Sequence, residues 1–166
     1  MTTAAGRKFF TVEKANLALP LVRVIVEDIV ELAVQLDERR ERLRSASHVH
    51  GSSRRNAASN LYTEEVEQAE EEMSRDEDRL SGFEAELEAL GVELKDRRVG
   101  VVDFPSAVES GAREGHPICL CWKLGETQVG HWHEVDDLDE SRRPLTELTS
   151  ERSQVVASDE SEETLD

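Results

Sequence analysis

Most of the side chains with chemistry to offer lie in three short stretches, VGVVDF at 99–104, ICLCWKL at 118–124 and QVGHWHEV at 128–135. Their apolar residues alternate with a period of two, the pattern of β-strands. A Cys-x-Cys at Cys119 and Cys121 beside a His-x-His at His131 and His133 suggests zinc, so the first question is which way each pair points. Gly125-Glu126 suits a two-residue hairpin turn between the last two strands. That turn pairs Trp122 with Val129, Leu120 with His131 and Ile118 with His133, which places the cysteines and the histidines on opposite faces. Structural zinc sites also space their cysteines two to four residues apart in a knuckle, not one apart on a strand. A cysteine-ligated zinc is therefore not expected.

A different ligand set survives this test. His133, or His131, with the carboxylates of Asp103, Glu126 and Glu134 offers the nitrogen and oxygen mixture that suits a divalent metal. The plainer expectation is that the histidines hydrogen-bond at a strand edge, the aromatic residues fill a small core and Asp103 caps a turn before Pro105. A third reading has Trp122, Trp132 and Arg143 lining a pocket for a small ligand. Nucleophilic catalysis by a cysteine is disfavoured, because apolar strand cysteines are usually inert and nothing visible lowers a thiol pKa. No glycine-rich phosphate loop or nucleotide fingerprint is present.

The elements that must carry these strands lie upstream. Val66, Ala69, Met73, Asp76, Leu80, Phe83, Leu87, Leu90 and Leu94 recur at alternating spacings of three and four, the seam of a partner-seeking helix. A matching seam runs Val22, Ile25, Ile29, Leu32, Leu36, Arg39, Leu43. The Ser-, Gly- and Asn-rich stretch at about 45–60 reads as the loop between them, so the two helices pack as an antiparallel hairpin. Thr11 is the expected N-cap, with Phe10 as the apolar residue before it. Pro20 predicts a kink or a fresh helix start. Arg39 and Asp76, the polar members of the seams, are expected either to set the register or to reach into water. Gly91 is the expected helix stop.

The chain is acidic, with a formal charge of -17. Thirteen acids against Arg75 and Arg79 between Glu64 and Glu93, and seven against Arg152 from Thr146 onward, account for all of it. Two acidic segments mean a solvated helix face and a tail, and the absence of a basic patch argues against nucleic acid and anionic membranes. The expected fold class is α+β, mostly α: a long antiparallel, coiled-coil-like helical hairpin at 9–94, a small antiparallel β module at 95–145 and a disordered acidic tail at 146–166. The seam alone gives a thin core for 166 residues, so a homodimer or a partner helix is expected to complete it. No signal peptide or membrane span is read, and two unbridged cysteines point to the cytoplasm.

FFTVEKANLALPLV near the start, VGVVDFP, ICLCWKLGE, and WHEVDD followed by RRPL resemble, in that order, a bacterial family catalogued as domain of unknown function 2203. The resemblance spans roughly residues 9–145 and implies a cytoplasmic protein with a long helical pair ahead of a small strand region. Asp103, Glu126, His133, Glu134 and Arg143 are the polar positions that match its pattern. It brings no activity. The leading functional expectation is a non-catalytic interaction or self-association module, and the alternative is a metal-binding protein or metal-dependent enzyme with its site in the β module.

Overall fold

Helix α1, Val12–His50, and helix α2, Ala58–Leu90, form an antiparallel hairpin, followed by five strands: β1, Glu93–Asp96; β2, Val101–Glu109; β3, Pro117–Lys123; β4, His131–Glu134; and β5, Arg143–Pro144. The computed structural model describes residues 8–50, 58–109, 117–135 and 141–148. The expected acidic tail lies outside the described residues beyond 148, as does the middle of the expected interhelical loop. That loop is shorter than its composition suggested, since α1 runs on to His50 and α2 begins at Ala58. No helix among the described residues is long and apolar enough to cross a membrane.

Local signals start and stop the helices. The Thr11 hydroxyl accepts from the Lys14 backbone N–H at 3.2 Å, an N-cap bond to the third helical residue. Phe10 is buried beside it with its ring edge-on to Phe104, centroids 5.2 Å apart. Pro20 neither ends nor restarts α1, which runs through it. At the far end of α2, Gly91 takes a φ of 84°, and the N–H groups of Gly91 and Val92 bond back to Glu88 and Leu87 at 2.9 and 3.0 Å. That pair of bonds closes the last turn in the way a left-handed glycine permits.

Both seams are spent within the chain. Val22, Ile25, Ile29, Leu32 and Leu36 of α1 are buried, with Leu80 and Leu87 of α2, while Met73, Phe83 and Leu90 are partly buried against them and Val66 is half-buried nearer the hairpin tip. The two polar seam residues meet each other: Arg39 Nη1 lies 2.6 Å from Asp76 Oδ2. Arg40 pairs with Glu77 one position further on in both helices. These ties pin the register of the hairpin, and the reading in which Arg39 and Asp76 merely reach into water is set aside.

The sheet is an antiparallel meander in the order β1-β2-β3-β4-β5. One face carries Val102, Phe104, Ile118, Leu120, Trp122 and Trp132 into the same buried cluster as the helical seams, so hairpin and sheet share a single core. Pro105 does not end β2, as the sequence suggested. It pairs with Cys119 on β3, while β1 opposes only residues 101–103, leaving no ladder N–H to lose on that side. The Pro105 carbonyl instead accepts from the Phe10 N–H at 2.7 Å.

Candidate metal centre

The register of β3 on β4 decides what the outer face of the sheet can do. Ile118 opposes Glu134, Cys119 opposes His133, Leu120 opposes Trp132 and Cys121 opposes His131. This is one residue away from the pairing expected of a two-residue Gly125-Glu126 turn, and a one-residue slip exchanges the faces. The chain turns earlier, with the Glu126 N–H bonded to the Lys123 carbonyl at 3.0 Å and Gly125 at a φ of 102°. It then crosses to β4 by a wider loop held by α1: Asn16 Oδ1 accepts from the Val129 N–H at 2.8 Å, and Arg23 donates to the Thr127 carbonyl at 3.1 Å. The expectation that cysteines and histidines point apart is therefore overturned.

With the observed register, Glu93, Asp103, Cys121 and His131 form one row across β1 to β4, and Cys119 and His133 form part of the next. The His133 ring crosses diagonally to Asp103, its Nε2 2.8 Å from Oδ2, while its Nδ1 lies 3.0 Å from the Glu134 carbonyl. Asp103 and His133 are buried, and so is Cys121. One ligand-type atom from each of Asp103, Cys121 and His133 falls within 4.8 Å of the others. Asp103 Oδ1 is buried and has no hydrogen-bond partner among the described residues. Lys95 Nζ stands 3.8 Å from Oδ2.

A second set of charges abuts the first. Arg142 donates to both oxygens of Glu126 at 2.8 and 2.7 Å and lies 3.4 Å from His131 Nδ1. Its guanidinium also reaches the Cys121 sulfur. Burial pushes the Cys121 thiol up to about 11, the neighbouring Asp103 carboxylate adds to the rise, and Arg142 opposes it. Burial alone would raise the Glu126 carboxyl too, but hydrogen bonds from Arg142 and the Lys123 N–H, with the charges of Arg142 and His131, hold it below the usual range. A thiol kept protonated, beside a histidine with both ring nitrogens occupied, is a poor nucleophile.

Of the metal candidates read from the sequence, Asp103 and His133 converge, while His131 lies beside Glu126 and Arg142. Glu126 belongs to the adjoining Arg142 pair, and Glu134 shares a face with Ile118, so its side chain leaves the group and only its carbonyl serves, by orienting His133. Asp103 caps no turn. Of the three residues read as lining a small-ligand pocket, Trp122 and Trp132 are fully buried in the helix-facing core and Arg143 is half-buried. An arginine lies over each ring, Arg143 at 5.2 Å from the Trp132 ring centroid and Arg23 at 5.8 Å from that of Trp122. Arg142 is the member that sequence reasoning missed, and Cys121 is one that it sets aside on the wrong register. The alternation within ICLCWKL does mark Cys121 as facing away from Trp122, but only the true register gives it Asp103 and His131 as neighbours.

Neither the curated proteins nor the solved structures yield a match to this chain. A family model does, over residues 8–145, most of the sequence. The chain with this buried Asp-Cys-His group accordingly belongs to the family described as Uncharacterized conserved protein (DUF2203).

Proposed function

We propose that this protein binds a divalent transition metal of the zinc type through Asp103, Cys121 and His133. The observation that carries the proposal is the contact between His133 Nε2 and Asp103 Oδ2. His133 Nδ1 faces the Glu134 carbonyl, which can only accept, so Nδ1 holds the ring hydrogen and Nε2 presents its lone pair. That lone pair meets a carboxylate oxygen at 2.8 Å. Two acceptors at this separation need a cation between them: a proton in the metal-free protein, a metal ion in the loaded one. The Cys121 sulfur supplies the third donor, and the partnerless Oδ1 leaves the Asp103 carboxylate with a further lone pair to give.

A nitrogen, a sulfur and an oxygen suit a borderline ion such as Zn2+ and do not suit Mg2+ or Ca2+, which take oxygen. The carbonyl on Nδ1 is the kind of outer partner that orients a ligating histidine. Three protein ligands leave a fourth position open. The test is elemental analysis and zinc titration of protein purified without a histidine tag. About one equivalent is expected, falling sharply in Cys121→Ser; wild type taking up less than about a tenth of an equivalent under added zinc sinks the proposal.

Self-association is a second reading, and a specific observation favours it on a different surface from the seams. Leu17, Leu21 and Val24 lie on one side of α1 at spacings of four and three, and are 81%, 54% and 55% exposed. A second copy of the chain laid on this stripe covers it. Sedimentation of the wild type and of Leu21→Glu decides: a dimer that the substitution dissociates supports the reading, and a compact monomer at about 100 μM removes it.

A further inference from the structure

The Asp103–Cys121–His133 group has a neighbour whose needs are the reverse of its own. Among the described residues Asp103 Oδ1 and Arg142 Nε are both buried without a hydrogen-bond partner, and both side chains interact with the Cys121 thiol. Oδ1 can only accept, and Nε can only donate. A metal on Asp103 satisfies the first and does nothing for the second. Among the described residues the other buried unpaired nitrogen on this sheet, Trp132 Nε1, belongs to a side chain on the opposite, helix-facing side.

Resting on the metal reading above, we infer that the open coordination position takes a small oxyanion, a carboxylate or a phosphate, with Arg142 receiving its second oxygen. An oxyanion carries adjacent oxygens for adjacent cationic partners, one for the metal and one for the guanidinium, and Arg–oxyanion bonds are among the strong ones. Glu126 holds one terminal nitrogen of Arg142 at 2.8 and 2.7 Å, which anchors the guanidinium and leaves Nε uncommitted. The Arg142 side chain is 28% exposed, so it spans from the interior to solvent and gives an anion an approach.

The local charge also permits this in a protein whose total is -17. A divalent ion with ionised Asp103 and Cys121 and neutral His133 is neutral, Arg142 is balanced by Glu126, and Lys95, 3.8 Å from Asp103, is balanced by Glu93. An incoming anion meets no net negative field at the site.

Cobalt(II) in place of the native ion, in the full chain, tests the inference. Cobalt–thiolate absorption reports the metal site, and the ligand-field bands report the fourth position. In wild type both appear, and acetate or inorganic phosphate shifts the ligand-field bands saturably; the anion with the tighter half-saturation identifies the class. Arg142→Gln keeps the thiolate band and loses at least about tenfold in anion affinity. If that variant fails to fold by circular dichroism, Arg142→Lys, which keeps the charge but not the Nε donor, carries the same expectation. Thiolate bands that ignore both anions, or an equal response in the Arg142 variant and wild type, overturn the oxyanion inference and leave the metal reading standing. No thiolate band in wild type sinks the metal reading, and this inference with it.

Discussion

His133 Nε2 and Asp103 Oδ2 meet at 2.8 Å between strands that are not neighbours in the sheet, with β3 and its Cys121 lying between them. The contact is diagonal, so it exists only because β4 is registered to put His133 opposite Cys119. Replacing Asp103 by Asn separates structure from ligation. An amide N–H donates to the Nε2 lone pair, so the fold is expected to persist with a modest loss, about 1 to 2 kcal/mol. Metal uptake is expected to fall at least about tenfold. Chemical denaturation measures the first and zinc titration the second; unchanged zinc affinity in Asp103→Asn contradicts the assigned ligand set.

Cys121 makes both stability and metal affinity depend on pH. Its thiol is held at about 11 in the fold against 9.0 for an ordinary cysteine, first by burial and then by Asp103. A raised pKa means that the folded chain keeps a proton the unfolded chain releases. The metal-free protein therefore has this contribution in full below pH 9.0 and loses it as pH climbs towards 11. Cys121→Ser should lack that decline, and the difference between the two denaturation profiles isolates the thiol from other groups that titrate there. Zinc binding runs the other way: it displaces the thiol proton and the proton shared by His133 and Asp103, so apparent affinity should rise by up to about a hundredfold per pH unit through neutrality. A flat affinity profile removes Cys121 from the ligand set.

Side chains that report on their own neighbours were legible in the sequence, and those that depend on a loop path were not. Arg39 and Asp76 stand out because each interrupts an apolar repeat, and each repeat fixes its own face. Gly91 and Thr11 act on adjacent backbone, so their roles follow from local geometry. The grouping of Asp103, Cys121 and His133 rests on strand register, and register depends on how many residues the β3–β4 connection uses. That number is set by Asn16 and Arg23, more than a hundred residues away on α1. No reading of Gly125-Glu126 alone contains it. Strands β1 and β5, of four and two residues, are too short for an alternating pattern to show.

The Arg39–Asp76 contact is expected to specify alignment more than to stabilise. The two side chains are 37% and 16% exposed, and Asp76 also meets Arg79 at 3.2 Å, so removing Arg39 leaves the carboxylate partly compensated. A double-mutant cycle of Arg39→Ala and Asp76→Ala should give a coupling of about 0.5 to 1 kcal/mol. Replacing both by leucine should match or exceed wild-type stability by completing the apolar seam, at the cost of a less defined register. Urea denaturation gives the first quantity. Disulfide trapping of cysteines placed at one in-register and one slipped pair of positions gives the second, and equal refusal of the slipped pair in both proteins argues against a specifying role.

Gly100 and Gly125 both adopt positive φ, 80° and 102°, yet alanine should cost very different amounts at the two positions. At Gly125 an added Cβ meets nothing within 4 Å, so only the backbone penalty applies, about 1 to 2 kcal/mol. At Gly100 the same atom would sit 2.8 Å from Val26 Cγ1 and 2.9 Å from Leu124 Cβ, in the seat where the β1–β2 turn meets α1. Neither neighbour is the free end of a flexible chain, since Val26 is fully buried and Leu124 follows directly on β3. Overpacking of about 1 to 3 kcal/mol adds to the strain, so Gly100→Ala should be the more destabilised of the two by thermal denaturation. Because Leu124 leads into the Lys123–Glu126 turn, a shift forced there should also reach the Glu126–Arg142 pair. Equal losses in the two variants would mean that α1 does not press on the sheet at this point.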